Sequence, residues 1–434
     1  MKYRYTALLV SALMLLSAAG CSGAKKYDPD HVVTDDTVAV IGDGSETTSG
    51  ETAGGEEFSG ETETETETIP EEEKSLSFVA VGDNLIHSAV YRTAANHAEN
   101  GKAYDFHYCY QYVADTVKNA DLSFINQETV ICGDDYEVSG SNLNFNSPTE
   151  LGDDLIDIGF DIFNMANNHV LDKGSKGMSA CLDYWDSQCE KHENIRVLGA
   201  YRDYQDMNDY RICEVNGITV GILGYTDHTN GYWLPGDSEM RIPYTSYTEG
   251  DKDWKIMEKQ VQELDGMVDC VIVSTHWGVE DTHTVTDDMK RLAQQLADWG
   301  ADVIIGTGPH TLESMEYLSR DDGTKAFVYY SIGNFISGQT DNFNMVGGMA
   351  RFNIVRKGSA VSIENPKLTP LITHYETGSL NNVRVYPYYL YTDELVSQHG
   401  IPYSPMGTAK SWSWSVIDNI VENNVPKEFQ ELEN

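Results

Sequence analysis

From Leu76 onward, apolar runs of strand length alternate with segments whose apolar positions recur at helical spacing. The run at 76–83 (LSFVAVGD) predicts a strand ending in Gly-Asp, and 105–119 a helix that leads into a second strand at 121–128 (DLSFINQE). A short helix is predicted over 149–159, then a buried strand at 160–167 (FDIFNMAN), a helix over 176–188 and a strand at 195–200. Residues 212–227 (ICEVNGITVGILGYTD) predict a hairpin, because Asn216-Gly217 between β-branched runs favours a tight type I′ turn. Helices over 253–264 and 287–299 precede strands at 270–278 (CVIVSTHWG) and 301–310 (ADVIIGTGPH). A strand at 326–335 (AFVYYSIGNF) and an antiparallel pair over 348–368 follow. This alternation predicts one α/β layered domain over 76–380, with hairpins added at its edges. Residues 381–434 are Tyr-rich, with one amphipathic stretch near 411–421, and form an extension whose place and role the pattern does not give.

The polar residues interrupt this pattern in one consistent way. Asp83 with His87, Asn126 with Glu128, Asn167-Asn168-His169 with Asp172, His276 with Glu280, His310, and Ser331 with Asn334 each stand at the C-terminal end of an apolar run. A lone His or Asn in such a place is ordinarily a turn or capping residue. Asp172 with Gly174 would by itself do no more than start the next helix. Six clusters at equivalent ends are another matter, because the strand C-termini of open α/β sheets converge on the crevice where ligands bind. Gathered there would be carboxylates (Asp83, Glu128, Glu280), imidazoles (His87, His169, His276, His310) and amides (Asn126, Asn168). Mixed O and N donors of this kind suit divalent Mn, Fe, Zn or Mg, as one ion or two. Such ions lower the pKa of bound water and clamp a phosphoryl oxygen. A His just beyond the ligands can protonate a leaving alkoxide.

Charge narrows the partners. The chain of 434 residues carries 29 basic against 69 acidic residues, a net of −40. That argues against nucleic acid, which needs a basic face. Much of the acidity is local: residues 43–73 hold no Lys, Arg or His and almost nothing apolar. Such a composition predicts a disordered, extended spacer within a linker over 21–75. Residues 1–20 have a basic start, an apolar run from Ala7 to Leu16 and small residues before Cys21, which is the shape of a secretory signal. The ending Ala18-Ala19-Gly20-Cys21 resembles the bacterial lipoprotein signal. That resemblance implies lipidation of Cys21 and a secreted protein anchored to the extracellular face of the cell membrane. The other six cysteines, Cys109, Cys132, Cys181, Cys189, Cys213 and Cys270, form no C-x-x-C pair, so structural zinc has no support. Cys181 and Cys189, ~12 Å apart on one predicted helix, are beyond disulfide reach. No disulfide is expected, and Cys270 reads as core.

The motifs VGDNLIH (81–87), INQET (125–129), MANNHVLDKG (165–174), STHWGVE (274–280), ADVIIGTGPH (301–310) and YYSIGNF (329–335), in this order, resemble the CapA family of poly-γ-glutamate capsule biosynthesis. The domain of that family is similar to the calcineurin-like metallophosphoesterases. The resemblance covers about residues 76–340 and implies a layered αββα sandwich with antiparallel additions. It implies that Asp83 is a metal ligand and Glu128 a bridging or second-metal carboxylate. Asn168 would be an amide ligand with His169 beside it as general acid, and His276 and His310 the later imidazole ligands. Asp172 and Glu280 join His169 as catalytic candidates, and His87, Asn126, Ser331 and Asn334 are the candidates to face substrate. YTDHTNGY (225–232) resembles a family loop with a Thr-Asn-Gly core, which would set Thr229 and Asn230 beside the substrate.

One position departs from the family. Its Gly-x-His-Pro-His motif reads here Gly306-Thr307-Gly308-Pro309-His310, so one imidazole is missing, with His87, His228 and His283 all open as substitutes. Two functions are consistent with the whole. One is a divalent-metal-dependent hydrolase or transferase acting on a phosphoester or an anionic capsule polymer. The other is a non-catalytic accessory that binds polymer within a capsule synthesis or export complex.

Overall fold

The computed structural model describes residues 73–141, 144–377 and 380–433, so the leader, Cys21 and the acidic spacer lie outside the described residues. In chain order the strands are β1 (Glu73–Asn84), β2 (Leu122–Asn126), β3 (Ser139–Ser141), β4 (Asn144–Asn146), β5 (Ile162–Asn164), β6 (Arg196–Leu198), β7 (Arg211–Val215), β8 (Ile218–Thr226), β9 (Cys270–His276), β10 (Val303–Thr307), β11 (Met315–Ser319), β12 (Lys325–Tyr329), β13 (Asn334–Ile336), β14 (Val346–Lys357), β15 (Ala360–Glu376) and β16 (Asn381–Pro387). The helices are α1 (Ser88–His97), α2 (His107–Tyr110), α3 (Ala114–Lys118), α4 (Thr149–Ile158), α5 (Gly174–Lys191), α6 (Tyr204–Asn208), α7 (Lys252–Asp265), α8 (Asp287–Trp299), α9 (Asp393–Gln398) and α10 (Trp414–Asn424).

One sheet runs β16-β15-β14-β1-β2-β5-β6, with β13 also pairing β1; the other runs β11-β12-β10-β9-β8-β7. The strand period of two explains why they stack. Along β1, Leu76, Phe78 and Ala80 face the layer between the sheets, while Val79 and Val81 face the helices of the first half. Ile222, Ile272, Ile305 and Tyr329 answer from the second sheet, whose other face turns Leu223, Val273 and Ile304 onto the apolar sides of α7 and α8. The result is the expected αββα sandwich, with the antiparallel pairs β7–β8, β11–β12 and β14–β15–β16 added at the edges. Each large side chain fully buried in these layers contributes about 1.5–3 kcal/mol.

Asn216 and Gly217 both have positive φ (52° and 71°), as the type I′ turn between β7 and β8 requires. Two expectations are corrected. The helix predicted over 105–119 starts at His107, where the Asp154 carboxylate of α4 accepts from Phe106 N at 2.7 Å, and is broken into α2 and α3 by a turn in which Val113 N bonds Tyr110 O at 3.0 Å, three residues back. The strand predicted over 326–335 splits into β12 and β13, because the chain bends at Gly333 (φ 64°) so that its carbonyl accepts from Asp83 N at 3.0 Å. Residues beyond 380 supply the edge strand β16, and Ile417 and Val421 of α10 join the cluster between the sheets. Cys181 and Cys189 both lie on α5. Among the described residues, no helix is long and apolar enough to cross a membrane.

Candidate metal centre

Parallel register aligns the polar strand ends. Asp83 is level with Asn126, Asn126 with Asn164, and Thr307 with His276. The two sheets meet at this rim, where the chain leaves β10 through a tight Gly308-Pro309-His310 turn. Gly308 (φ 107°) and His310 (φ 60°) are both left-handed there. Only such a reversal points the His310 ring back at the end of β1, where Nδ1 stands 3.0 Å from Asp83 Oδ2.

The hydrogen bonds orient every ring. Asn164 donates to Asn126 Oδ1 at 3.0 Å, and Asn126 donates to Asp83 Oδ1 at 2.7 Å. His276 Nδ1 lies 3.0 Å from Thr307 Oγ1, and His169 Nδ1 lies 2.9 Å from Asp172 Oδ2, which also accepts from Phe145 N at 2.7 Å. Held so, three Nε2 atoms surround one carboxylate oxygen: His169 at 3.9 Å, His276 at 3.8 Å and His310 at 3.8 Å from Glu128 Oε1. Asp83, Glu128 and His310 each offer a ligand atom within 4.8 Å of the other two.

Burial makes this arrangement costly as it stands. Both Glu128 oxygens, Asn168 Oδ1 and Asp172 Oδ1 are buried without a hydrogen-bond partner. A buried polar atom left unpaired costs about 1–3 kcal/mol. Burial, reinforced by the Asp83 charge, pushes the Glu128 carboxyl well above the ordinary range. Burial would raise Asp83 as well, but the His310 hydrogen bond and charge outweigh it and hold that carboxyl low. Burial lowers His276 to about 3, leaving a neutral imidazole with a lone pair to give. At His310 burial opposes protonation, but the Glu128 and Asp83 carboxylates outweigh it and raise the ring to about 10. A divalent cation among these groups would stabilise ionised Glu128, displace the His310 proton and give the orphaned oxygens a partner. The residues present fit a metal ion.

The remaining candidates fall around this centre at different depths. Asn230 sits at its wall, with Oδ1 accepting from Asn168 Nδ2 at 3.4 Å and Nδ2 3.5 Å from His169 Nδ1. His87 is edge-on to Phe145, which is edge-on to His169, and its Nδ1 accepts from Gly338 N at 3.0 Å. Glu280 is exposed at the rim, its charge felt by Glu128 and His310. Thr229 Oγ1 bonds within its own turn, to Tyr232 O, and lies 3.3 Å from the Tyr244 hydroxyl. Ser331 donates to Thr311 O at 2.7 Å, and Asn334 Nδ2 bonds Gln339, Ser337 and Asn344, so both brace the backbone behind the centre.

Sequence reasoning missed the orienting residues. Thr307 and Asn164 sit inside apolar runs that read as core, and their role appears only when neighbouring strands are in register. A second buried chain, Tyr110 to Asn84 at 2.7 Å and Asn84 to Gln127 at 2.7 Å, supports the loop before Glu128. Its signal was the pair Asn84 and Gln127, each next to a motif residue.

A sequence profile described as "Bacterial capsule synthesis protein PGA_cap" matches residues 77–339, more than half of the chain, from within β1 to just past β13. The chain belongs to that family. Within it, the chain is 26% identical over 293 residues to the capsule biosynthesis protein CapA of Bacillus anthracis, covering 67% of this chain and 66% of that one. It is 28% identical over 282 residues to the PGA biosynthesis protein CapA of Bacillus subtilis strain 168, covering 62% and 66%. The capsule-synthesis relatives are therefore matched over a little less than two thirds of their own length. Among solved structures, the 5′-nucleotidase of Candida albicans SC5314 is similar at 14% identity and a TM-score of 0.37, over 63% of this chain and 47% of that one.

Proposed function

We propose that this member of the capsule-synthesis family is a divalent-metal-dependent hydrolase or transferase acting on a phosphoester or an anionic capsule polymer such as poly-γ-glutamate. The observation that carries the reading is the ring of three imidazole nitrogens around the unpartnered Glu128 carboxylate. Imidazole-rich sets favour Zn or Fe over Mg, with the carboxylates leaving Mn open. When bound, the ion supplies Lewis acidity and a water of lowered pKa. The chain's own residues orient and desolvate. Asp83 and Asp172 set the tautomers of His310 and His169, Asn126 and Thr307 hold His276, and Asn230 closes the wall over His169. Glu280, alone among the candidate acids in being exposed, is placed to pass a proton between the centre and solvent.

A chain of net charge −40 would repel a polyanion, so a cation at this centre supplies the attraction the surface lacks. We extend the proposal to location: lipidation at Cys21 would hold the domain on the extracellular face of the membrane, beside a capsule synthesis complex. A Cys21→Ser variant is expected to lose incorporation of labelled fatty acid and to leave the membrane fraction.

The activity test is metal-stripped protein reloaded with Zn²⁺, Mn²⁺ or Fe²⁺, offered a phosphodiester panel and poly-γ-glutamate. Metal-dependent phosphate release or polymer shortening is expected. The second reading, a non-catalytic polymer binder, draws on Gly308 in place of the family imidazole. It takes over when polymer binds and no loaded form turns any substrate over.

A further inference from the structure

Away from the rim, a groove of about 640 Å³ opens on the face of the first sheet that is turned away from the second. Register builds its floor. Val79 of β1 is level with Arg351 of β14, and Arg351 with Lys367 of β15, so the three side chains form a row on one face. A bulge follows, because Asn353 opposes Glu364, and Asn365, left over at φ 52°, joins the lining. To this floor α3 and its C-cap add Thr116 and Asn119, and the single turn Tyr388–Leu390 adds Tyr389. β14, β15 and that turn lie past residue 339, where the family match ends, so the groove is built largely outside the family's own segment.

The neutral polar groups here are uncommitted. Among the described residues, the side chains of Thr116, Asn119, Asn353 and Asn365 hydrogen-bond to no other protein group. The charges, by contrast, are engaged and balanced. Arg351 Nη1 donates to Glu431 Oε2 at 2.8 Å and Lys367 Nζ to Glu428 O at 2.6 Å, and the two cations of the lining face two carboxylates, Asp115 and Glu431. A polyanion finds no surplus of positive charge there, and a chain of net −40 adds none. Two rings complete the lining. Tyr112 is 36% exposed and is backed by Tyr386 with centroids 4.3 Å apart, while Tyr389 has no ring partner among the described residues.

A sugar ring has the matching make-up. Its C–H face packs on an aromatic ring, and its hydroxyls donate and accept as side-chain amides do. The volume lies within the range of about 300–1,000 Å³ usual for small-ligand sites. We propose that this groove binds a short run of neutral sugar rings, with Tyr112 and Tyr389 as stacking faces and Asn119, Asn353 and Asn365 as hydroxyl partners. The site is separate from the metal centre: Val79 is four residues before Asp83, roughly 13 Å at 3.3 Å per residue. It holds the domain on a neutral polysaccharide without using the centre, and so does not depend on what the centre does.

Calorimetric titration of the full chain with chitohexaose, cellohexaose and maltohexaose tests this, with poly-γ-glutamate as the charged comparison. At least one neutral oligosaccharide is expected to bind at a single site, equally well before and after metal stripping and with little dependence on salt. Tyr389→Ala should weaken it by about tenfold or more, as for loss of an aromatic anchor. Asn119→Ala, at an exposed helix end, should weaken it by about two- to tenfold, as for one hydrogen bond. Hydrogen exchange needs no variant: the bound sugar should slow amides in 114–119 and 388–390 and leave 165–174 at the rim unchanged. Absence of binding by all three oligosaccharides, wild-type affinity in both variants, or protection at the rim in place of the groove would each overturn the proposal. So would poly-γ-glutamate displacing the sugar from the groove. Loss of sugar binding on metal stripping would move the site to the centre and sink this inference alone, whereas turnover failing with sugar binding intact would sink the enzyme reading alone.

Discussion

Two groups of buried histidines in this molecule look alike by exposure and differ in everything else. At the strand ends, His169, His276 and His310 face Glu128, whose oxygens have no hydrogen-bond partner. Under β15 and β16, His374 and His399 pack ring to ring 5.1 Å apart among Tyr375, Tyr386, Tyr391 and Trp412. There His399 donates from Nε2 to Thr373 O at 3.0 Å and accepts at Nδ1 from Ile401 N at 3.0 Å, so both nitrogens are used. Burial lowers His374 to about 3 and His399 to about 4, with no carboxylate to oppose it. His374 Nε2 and the Tyr375 hydroxyl are also buried without a partner, so neither a buried imidazole nor an unpaired polar atom is informative alone; what marks a site is several imidazoles converging on one unpaired carboxylate.

The largest test of this contrast is Glu128→Gln. Metal affinity should fall by at least two orders of magnitude in a Zn²⁺ or Co²⁺ titration. The stripped protein should be no less stable, because the variant removes a buried carboxyl that has no partner in that state. The contrast would break if metal binding survived.

Next comes pH. Metal entry must displace protons from Glu128, held up by burial and the Asp83 charge, and from His310, held up by the Glu128 and Asp83 carboxylates against the opposing effect of burial. Affinity should therefore rise with pH by up to about tenfold per unit for each proton released. Calorimetry in buffers of different ionisation enthalpy would count those protons, and a pH-independent affinity would refute it.

The second cluster gives a smaller effect with a definite direction. His399 falls from 6.5 unfolded to about 4 folded, so its stabilisation is complete above about pH 6.5 and is lost as pH drops toward 4. The loss is up to about 3 kcal/mol. Denaturant unfolding of His399→Phe should show a flatter acid limb than the wild type, with metal affinity unchanged. Smallest is Asn164→Ala, which frees Asn126 and should weaken metal binding by only a few fold, while Cys270, buried at the start of β9 and six residues from His276 at the rim, should tolerate Ala with no effect on binding.

Much of the sandwich was legible because strand and helix periods were clean, and the rim was legible because its polar residues stand just past those strands. What was hidden depended on distant partners. The helix start at His107 follows from Asp154 reaching Phe106 N, and the bend at Gly333 from the approach of β1, where a Cβ on Gly82 would lie 1.8 Å from Gly333 O. The role of Asp172 was ambiguous for the same reason: the sequence shows a carboxylate three residues from His169, but only the fold shows that it takes Nδ1 and frees Nε2. Residues beyond 380 escaped placement because β16 and α10 complete layers begun far upstream.

The direction of β1 sets the rim and the start of the described domain far apart. Its first residue, Glu73, and Asp83 at the rim are ten steps apart on one strand, roughly 33 Å at 3.3 Å per residue. Whatever precedes Glu73 thus joins the domain at the end opposite the histidines.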